Sequence, residues 1–250
     1  MLSVYIPIKL YRKEVHKMLP VKKASEDVIA EFNKWCAEKK ECPSKSNSNG
    51  LSQSIDAWAN ALYNASGFSD SISYSSNWYE SLSDVEILSR LIYGEATTSS
   101  NYATEQNAVT WVLINRKNSS SFPGTLREVA LQSGQFYAIV GTESSTRNAR
   151  NPTMGSVWKH AIWLACAILT TSNESDYMWL FGKPIGINNQ VMFYASSLAK
   201  FGKADGLMTI NGNRVKDVAY AGIGEVTTID EAEKNASSSR NVYYNYYDYS

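Results

Sequence analysis

The sequence has little of what metal centres and disulfide-stabilised folds require. Its two histidines, His16 and His160, have no carboxylates beside them at a metal-ligand spacing, so we expect no zinc site. The three cysteines show no repeated spacing, and an odd number does not make a disulfide framework. Cys36 and Cys42 could pair, but their position on a predicted helix followed by a proline favours free thiols. Cys166 fits a small core residue. We expect neither a metal nor another cofactor.

The chain also lacks a charge imbalance and long apolar runs. Its 24 basic and 24 acidic residues give a net charge of zero, which argues against wholesale nucleic-acid binding through a basic surface. No apolar run reaches the roughly 18 residues of a membrane helix, and the longest candidate, residues 157–169, is predicted to be a core helix. Residues 1–20 carry no basic segment before their short apolar run and no small-residue cleavage site after it, so we expect no signal peptide.

The pattern of the chain predicts three parts and a mostly α fold of the α+β class. Residues 1–80 are interpreted as an N-terminal extension with an edge strand over 1–10, an amphipathic helix over 25–40 and a Ser/Asn-rich linker over 42–54. Residues 81–224 form the main, mostly helical domain, with minor β elements near its end. Residues 225–250 form a Tyr-rich C-terminal tail. The strand and the tail could either dock on a partner or fold back on the domain.

The stretch 82–136 carries the residue of greatest chemical interest, Glu95. Leu91 and Ile92 belong to an apolar helical stripe, and the spacing places Glu95 at its edge. Burial beside apolar side chains raises the pKa of a carboxyl group, because it penalises the charged form. Cleavage of a glycosidic bond needs such a protonated acid. A glutamate near a helix end is more often a solvated or ion-paired surface residue, so Glu95 by itself is weak evidence.

Four motifs around this glutamate follow one another in a fixed order. They are IYGEA (92–96), QNAVTWVLINR (106–116), FP (122–123) and QSGQF (132–136). Together they resemble the SleB/CwlJ family of cell-wall hydrolases, which includes the spore-cortex-lytic enzymes, over residues 81–224 at most. The resemblance implies a lysozyme-like helical catalytic domain that acts on the glycan strands of peptidoglycan.

The resemblance also implies how the reaction runs. Glu95 would be the general acid. As in lytic transglycosylases, the same glutamate would protonate the leaving oxygen and then act as base toward the muramoyl 6-hydroxyl, without a second carboxylate. Asp84, Glu86 and Glu105 lie outside any obvious partner position. Glu143, in a loop, is kept as an outside candidate for positioning a water molecule.

Further residues of the motifs are candidates for substrate binding. Gln135 would orient a sugar hydroxyl or N-acetyl group through its amide, or else stabilise its loop. Phe136 would pack or present a sugar platform. Tyr194 could hydrogen-bond substrate or Glu95, and Tyr93 completes the predicted substrate-binding set. Asn115-Arg116 is expected to cap its helix and hold neighbouring loops.

The sequence departs from the family pattern after Lys183. The family's Ala-Thr-His-aromatic-Tyr element has its nearest counterpart in residues 191–195, with Met192 where histidine would stand. Ile223-Gly224 is not followed by the histidine of the family's later motif. These departures put the substrate preference and the activity of the site in question.

Two functions therefore stay open from the sequence. One is a peptidoglycan-cleaving glycosidase of the lytic transglycosylase type. The other is a non-enzymatic structural or glycan-binding component of a phage or spore assembly that retains the fold. Since no signal peptide is visible, the protein would reach the wall as a virion or tail component, after release by a holin, or in a spore coat, docked through the N-terminal strand or the Tyr-rich tail.

Overall fold

A computed structural model describes residues 25–41, 48–96, 100–153, 155–171 and 173–247. These residues form a helical part followed by an antiparallel sheet. The helices are α1 (Ser25–Glu41), α2 (Ser48–Asn64), α3 (Asp84–Ala96), α4 (Tyr102–Asn118), α5 (Leu126–Ala130), α6 (Tyr137–Val140), α7 (Arg147–Arg150), α8 (Ser156–Thr170), α9 (Glu174–Leu180) and α10 (Ile229–Ala236). The strands are β1 (Met192–Ala195), β2 (Phe201–Ala204), β3 (Leu207–Ile210), β4 (Asn213–Tyr220), β5 (Gly224–Glu225) and β6 (Asn241–Tyr246).

Helix α3 lies at the centre of the helical part. It packs along α8 and also contacts α4, α5, α6 and α7. Leu91 and Ile92 are fully buried, as their helical spacing predicted. The predicted core helix over 157–169 is α8, whose residues include the buried thiol of Cys166. Within the described ranges, no helix is long and apolar enough to cross a membrane.

The N-terminal helices share the core of α3 across the predicted boundary near residue 80. Phe32 and Trp35 of α1 both pack against Trp58 of α2, edge-on and tilted respectively, with ring centroids 5.7 and 5.9 Å apart. All three belong to the cluster of buried side chains that contains Leu91 of α3. The apolar face of α1 therefore packs against α2 within the same protein. The linker predicted over 42–54 is helical from Ser48, and residues 42–47 lie outside the described residues, as does the predicted edge strand over 1–10.

The sheet is larger than the minor β elements predicted from the sequence. Its strands run in the order β1-β6-β4-β3-β2, and β5 also pairs with β4. Every pairing is antiparallel. The combination of helices and an antiparallel sheet confirms an α+β fold.

Strand β6 corrects the prediction of a C-terminal Tyr-rich tail. It lies between β1 and β4, so residues 241–246 belong to the interior of the sheet. Tyr243 packs into the helical core and Tyr244 into a second cluster formed by the sheet, because successive side chains of a strand point to opposite faces. The boundary predicted at residue 224 therefore cuts through one sheet, and these two tyrosines are not available for docking.

Candidate active site

Glu95 lies in the last turn of α3, where the residue is only partly exposed. Its Oε1 accepts a hydrogen bond from the backbone N–H of Ala138, with a distance of 3.0 Å. Among the described residues, no donor contacts Oε2. Burial raises the pKa of Glu95, while the Ala138 N–H and the cations of Arg240 and Arg116 lower it to a smaller extent. The site thus favours a protonated carboxyl group with one oxygen held and the other free.

The glycine that precedes Glu95 allows the Ala138 N–H to reach the carboxyl group. A Cβ atom on Gly94 would lie 2.7 Å from the Cβ of Ala138 and 3.0 Å from the Cβ of Ala149. Both distances are shorter than ordinary van der Waals contact, so only glycine lets α6 and α7 pack this closely on α3. The Gly-Glu dipeptide of the motif therefore serves the geometry of the site as well as its chemistry.

Arg116 places a buried positive charge near Glu95. Its side chain is 2% exposed, and its Nε donates a hydrogen bond to the Val191 carbonyl oxygen at 2.5 Å. The guanidinium carbon lies 4.5 Å from the ring centroid of Phe136 and 5.3 Å from that of Phe122. No described residue accepts a hydrogen bond from Nη1. Burial lowers the pKa of Arg116 to about 10, against the opposing charge of Glu95, so the group stays cationic at neutral pH.

The neighbouring Asn115 holds loops together, as the sequence suggested for this pair. Its Nδ2 donates to the carbonyl oxygens of Gln190 and Asn188 at 2.9 and 3.2 Å. With the Arg116 bond to Val191, the end of α4 fixes the segment that leads into β1. The motif around these two residues therefore connects the helical part to the sheet.

Glu105 is a functional candidate that the sequence analysis set aside. It is 3% exposed, its Oε2 accepts from the Tyr243 hydroxyl at 2.7 Å and its Oε1 from the Arg240 backbone N–H at 3.0 Å. The Nε of Arg240 in turn donates to the backbone oxygen of Glu95 at 3.5 Å, which is a long contact. Burial raises the pKa of Glu105 and these hydrogen bonds lower it. Glu105 therefore attaches the start of β6 to α4, and the Arg240 side chain contacts the end of α3.

The helical spacing of α4 contained a signal for Glu105. It precedes Ala108, Val109 and Val112 by three, four and seven positions, which places it on their buried face. Both of its oxygens accept hydrogen bonds, so it is not free to attack a sugar or to activate water. Its role in this geometry is to position other groups.

Two predicted substrate-binding residues, Phe136 and Tyr93, are part of the core instead. Phe136 is fully buried between the guanidinium of Arg116 and the ring of Phe193, 5.8 Å away, so it has no free face for a sugar. Tyr93 is 5% exposed, and its hydroxyl accepts a hydrogen bond from the Thr153 N–H at 3.0 Å. The burial of Phe136 supports the packing alternative given for it, and a substrate-binding role for Tyr93 stays a prediction.

The remaining candidates keep some contact with solvent. Gln135 is half-buried in the turn that leads to α6. Tyr194 is 37% exposed on β1, where it pairs with Val242. Met192, at the position expected for histidine, has its sulfur 3.6 Å from Nη2 of Arg116. Glu143 is exposed. Gln135 and Tyr194 are thus accessible to a ligand, and their roles stay predictions.

Comparisons with known proteins found no relative of this chain. No protein-family model matches the chain, and neither the curated proteins nor the solved structures gave a match. Within the part of the chain that the structure describes, no group of three or more His, Cys, Asp or Glu side chains could hold a metal ion.

Proposed function

We propose that this protein cleaves the glycan strands of peptidoglycan, with Glu95 as both acid and base. The observation that supports the proposal is a partly exposed glutamate whose pKa is raised by burial and whose Oε2 has no hydrogen-bond donor among the described residues. A carboxyl group in this state can give a proton to a glycosidic oxygen. The lysozyme-like character of the domain rests on the motifs around Glu95 and is part of this proposal.

The proposed reaction uses one carboxyl group twice. The Oε2 proton of Glu95 passes to the leaving glycosidic oxygen while the bond to the anomeric carbon breaks. The Glu95 carboxylate then accepts a proton from the muramoyl 6-hydroxyl, whose oxygen bonds to the same carbon and gives an anhydro end. Between the steps, the cations of Arg116 and Arg240 stabilise the negative charge on Glu95. The nearby carboxylate Glu105 takes no part, because donors occupy both of its oxygens.

Digestion of purified sacculi tests this function. We expect the protein to release muropeptides, and Glu95→Gln to abolish the release while leaving the fold intact by circular dichroism. Glu233→Gln, at an exposed carboxylate of α10 that has no assigned role, is the matched control and should retain activity. Mass spectrometry that shows reducing ends instead of anhydro ends would replace transglycosylation by hydrolysis. Sacculi that stay intact in the presence of folded protein would contradict both versions.

The second candidate function is a glycan-binding or structural component of a phage or spore assembly. The observation in its favour is Met192, which stands where the family has histidine and places a thioether on Arg116. In that case the protein would bind sacculi without cleaving them, and Glu95→Gln would not alter the binding. Detection of the chain in purified virions or in spore coats would identify the route by which it reaches the wall.

A further inference from the structure

A polar cleft of about 750 Å³ opens near Arg116. Two of its lining residues, Phe122 and Val191, contact the Arg116 guanidinium through their ring and carbonyl oxygen. Glu95 is not among the residues that line it. Its volume falls within the range of about 300–1,000 Å³ that is usual for ligand sites, so it is a candidate site separate from the catalytic glutamate.

Amide groups dominate the lining of the cleft. Its asparagines are Asn115, Asn118, Asn188, Asn189 and Asn245. Each amide offers both donors and an acceptor. The four charged lining residues, Lys183, Lys216, Glu174 and Asp217, sum to zero, and Lys183 already forms an ion pair with Glu174 at 3.1 Å. This chemistry suits a neutral ligand rich in hydroxyl and amide groups, and it does not suit a phosphate or an apolar molecule.

Parts of the lining are fixed in advance of any ligand. Asn245 donates from Nδ2 to Asp217 Oδ2 at 3.0 Å and accepts at Oδ1 from the Val191 N–H at 2.9 Å. Asn115 uses its Nδ2 for two backbone carbonyl groups, and no described donor contacts its Oδ1. A rigid acceptor of this kind binds a ligand hydroxyl without an entropic cost of ordering the side chain.

Asp217 adds a second, independent observation. Its φ of 53° lies in the left-handed region, although it is not glycine and occurs within β4. The pairing of β4 with β6 shifts register between Lys216 and Ala219, which marks a β-bulge. Bulges often occur beside functional sites, where they re-aim a side chain, and Asp217 is one of the residues that line the cleft.

We propose that this cleft is a second saccharide-binding site that holds an N-acetylated oligosaccharide away from Glu95. The choice of N-acetylglucosamine as the sugar rests on the proposed function, whereas the preference for a neutral polyhydroxylated ligand rests on the cleft itself. Such a site keeps a glycan strand on the protein between successive cleavage events.

The test is an NMR titration with the β-1,4-linked tetramer of N-acetylglucosamine. Glu95→Gln protein is used, so that the ligand is not consumed. We expect chemical-shift changes in the amides of residues 115–122 and 188–191. Removing the exposed amides in Asn118→Ala/Asn189→Ala should weaken binding at least about tenfold, whereas Asn148→Ala, an exposed asparagine outside the cleft, should leave it unchanged.

Each outcome decides between the two sites. Shift changes confined to the surroundings of Glu95 and Ala138, or equal affinity in the double variant and the control, would overturn the second site while leaving the catalytic proposal intact. The absence of any binding would also overturn it. Cleavage of sacculi by the unsubstituted protein is measured separately, so failure of the catalytic proposal is recognised by a different experiment.

Discussion

Gly94→Ala perturbs the site where α3 lies close against α6 and α7. The new methyl group would lie 2.7 Å from the Cβ of Ala138 and 3.0 Å from the Cβ of Ala149. Neither alanine can rotate its Cβ away, so the backbone of α6 or α7 must shift. Overpacking of this kind lowers the free energy of unfolding by about 1–3 kcal/mol. Replacing a helical glycine by alanine raises it by about 1 kcal/mol. We therefore expect the free energy of unfolding to fall by about 1 kcal/mol and by no more than about 2 kcal/mol.

The same shift should reach Glu95 through its hydrogen bond. The Ala138 N–H stabilises the ionised carboxylate, so movement of Ala138 should raise the pKa of Glu95. Urea denaturation measures the stability, and ¹³C NMR of the glutamate side-chain carboxyl carbon measures the titration. Gly50→Ala is the matched control, because Gly50 is also helical and nothing lies within 4 Å of its added Cβ.

A clear result would refute this reasoning. If Gly94→Ala is as stable as the unsubstituted protein and Glu95 titrates unchanged, the close approach of α6 does not set the geometry of the carboxyl group. If Gly50→Ala is destabilised by the same amount, the cost lies in the substitution of a helical glycine and not in the contact with Ala138.

The remaining predictions concern the charges around Glu95. Arg240→Gln should raise the pKa of Glu95, because it removes a cation that favours the carboxylate; an unchanged NMR titration would contradict this. Glu105→Gln places an amide NH₂ group against the hydrogen-bond donors that now face the carboxylate, and should lower the free energy of unfolding by about 1–3 kcal/mol. Glu143→Gln should leave the free energy of unfolding unchanged. Tyr243→Phe removes the hydroxyl that bonds to Glu105 and should raise the pKa of Glu105 further. Because the pKa values of Glu95 and Glu105 are raised in the folded protein, the folded state binds protons more tightly. Their contribution to stability is therefore full below the ordinary glutamate pKa and is lost as the pH rises through the raised values, and Glu105→Gln should flatten that decline.

The sequence predicted α3 and its glutamate because the signal is local. Leu91, Ile92 and Glu95 lie within one and a half turns of a helix, and their order alone places the carboxyl group at the edge of a buried stripe. Periodicity does not tell which aromatic side chains turn inward. Tyr93 and Phe136 became substrate-binding candidates through the motifs that contain them, and both are buried in the core.

The sheet was harder to predict because its partners are distant in the chain. Strand β6 pairs with β1 and β4, and its buried residues alternate between two apolar clusters. A sequence of tyrosines and asparagines without apolar alternation reads as a polar tail unless both neighbouring strands are known. The partners of Glu105 were equally hidden, since Arg240 and Tyr243 come from the other end of the described chain.

The arginines near Glu95 and the burial of its carboxyl group shift the pKa of Glu95 in opposite directions. Burial favours the neutral carboxyl group, while Arg116 and Arg240 favour the carboxylate. A buried guanidinium that lacks a partner at Nη1 is costly, and an ionised Glu95 lowers that cost. Desolvation therefore favours the neutral state of Glu95, and the two positive charges oppose it by favouring the ionised state. A residue that must first give a proton and then take one needs this balance, because a strongly biased pKa would make one of the two steps slow.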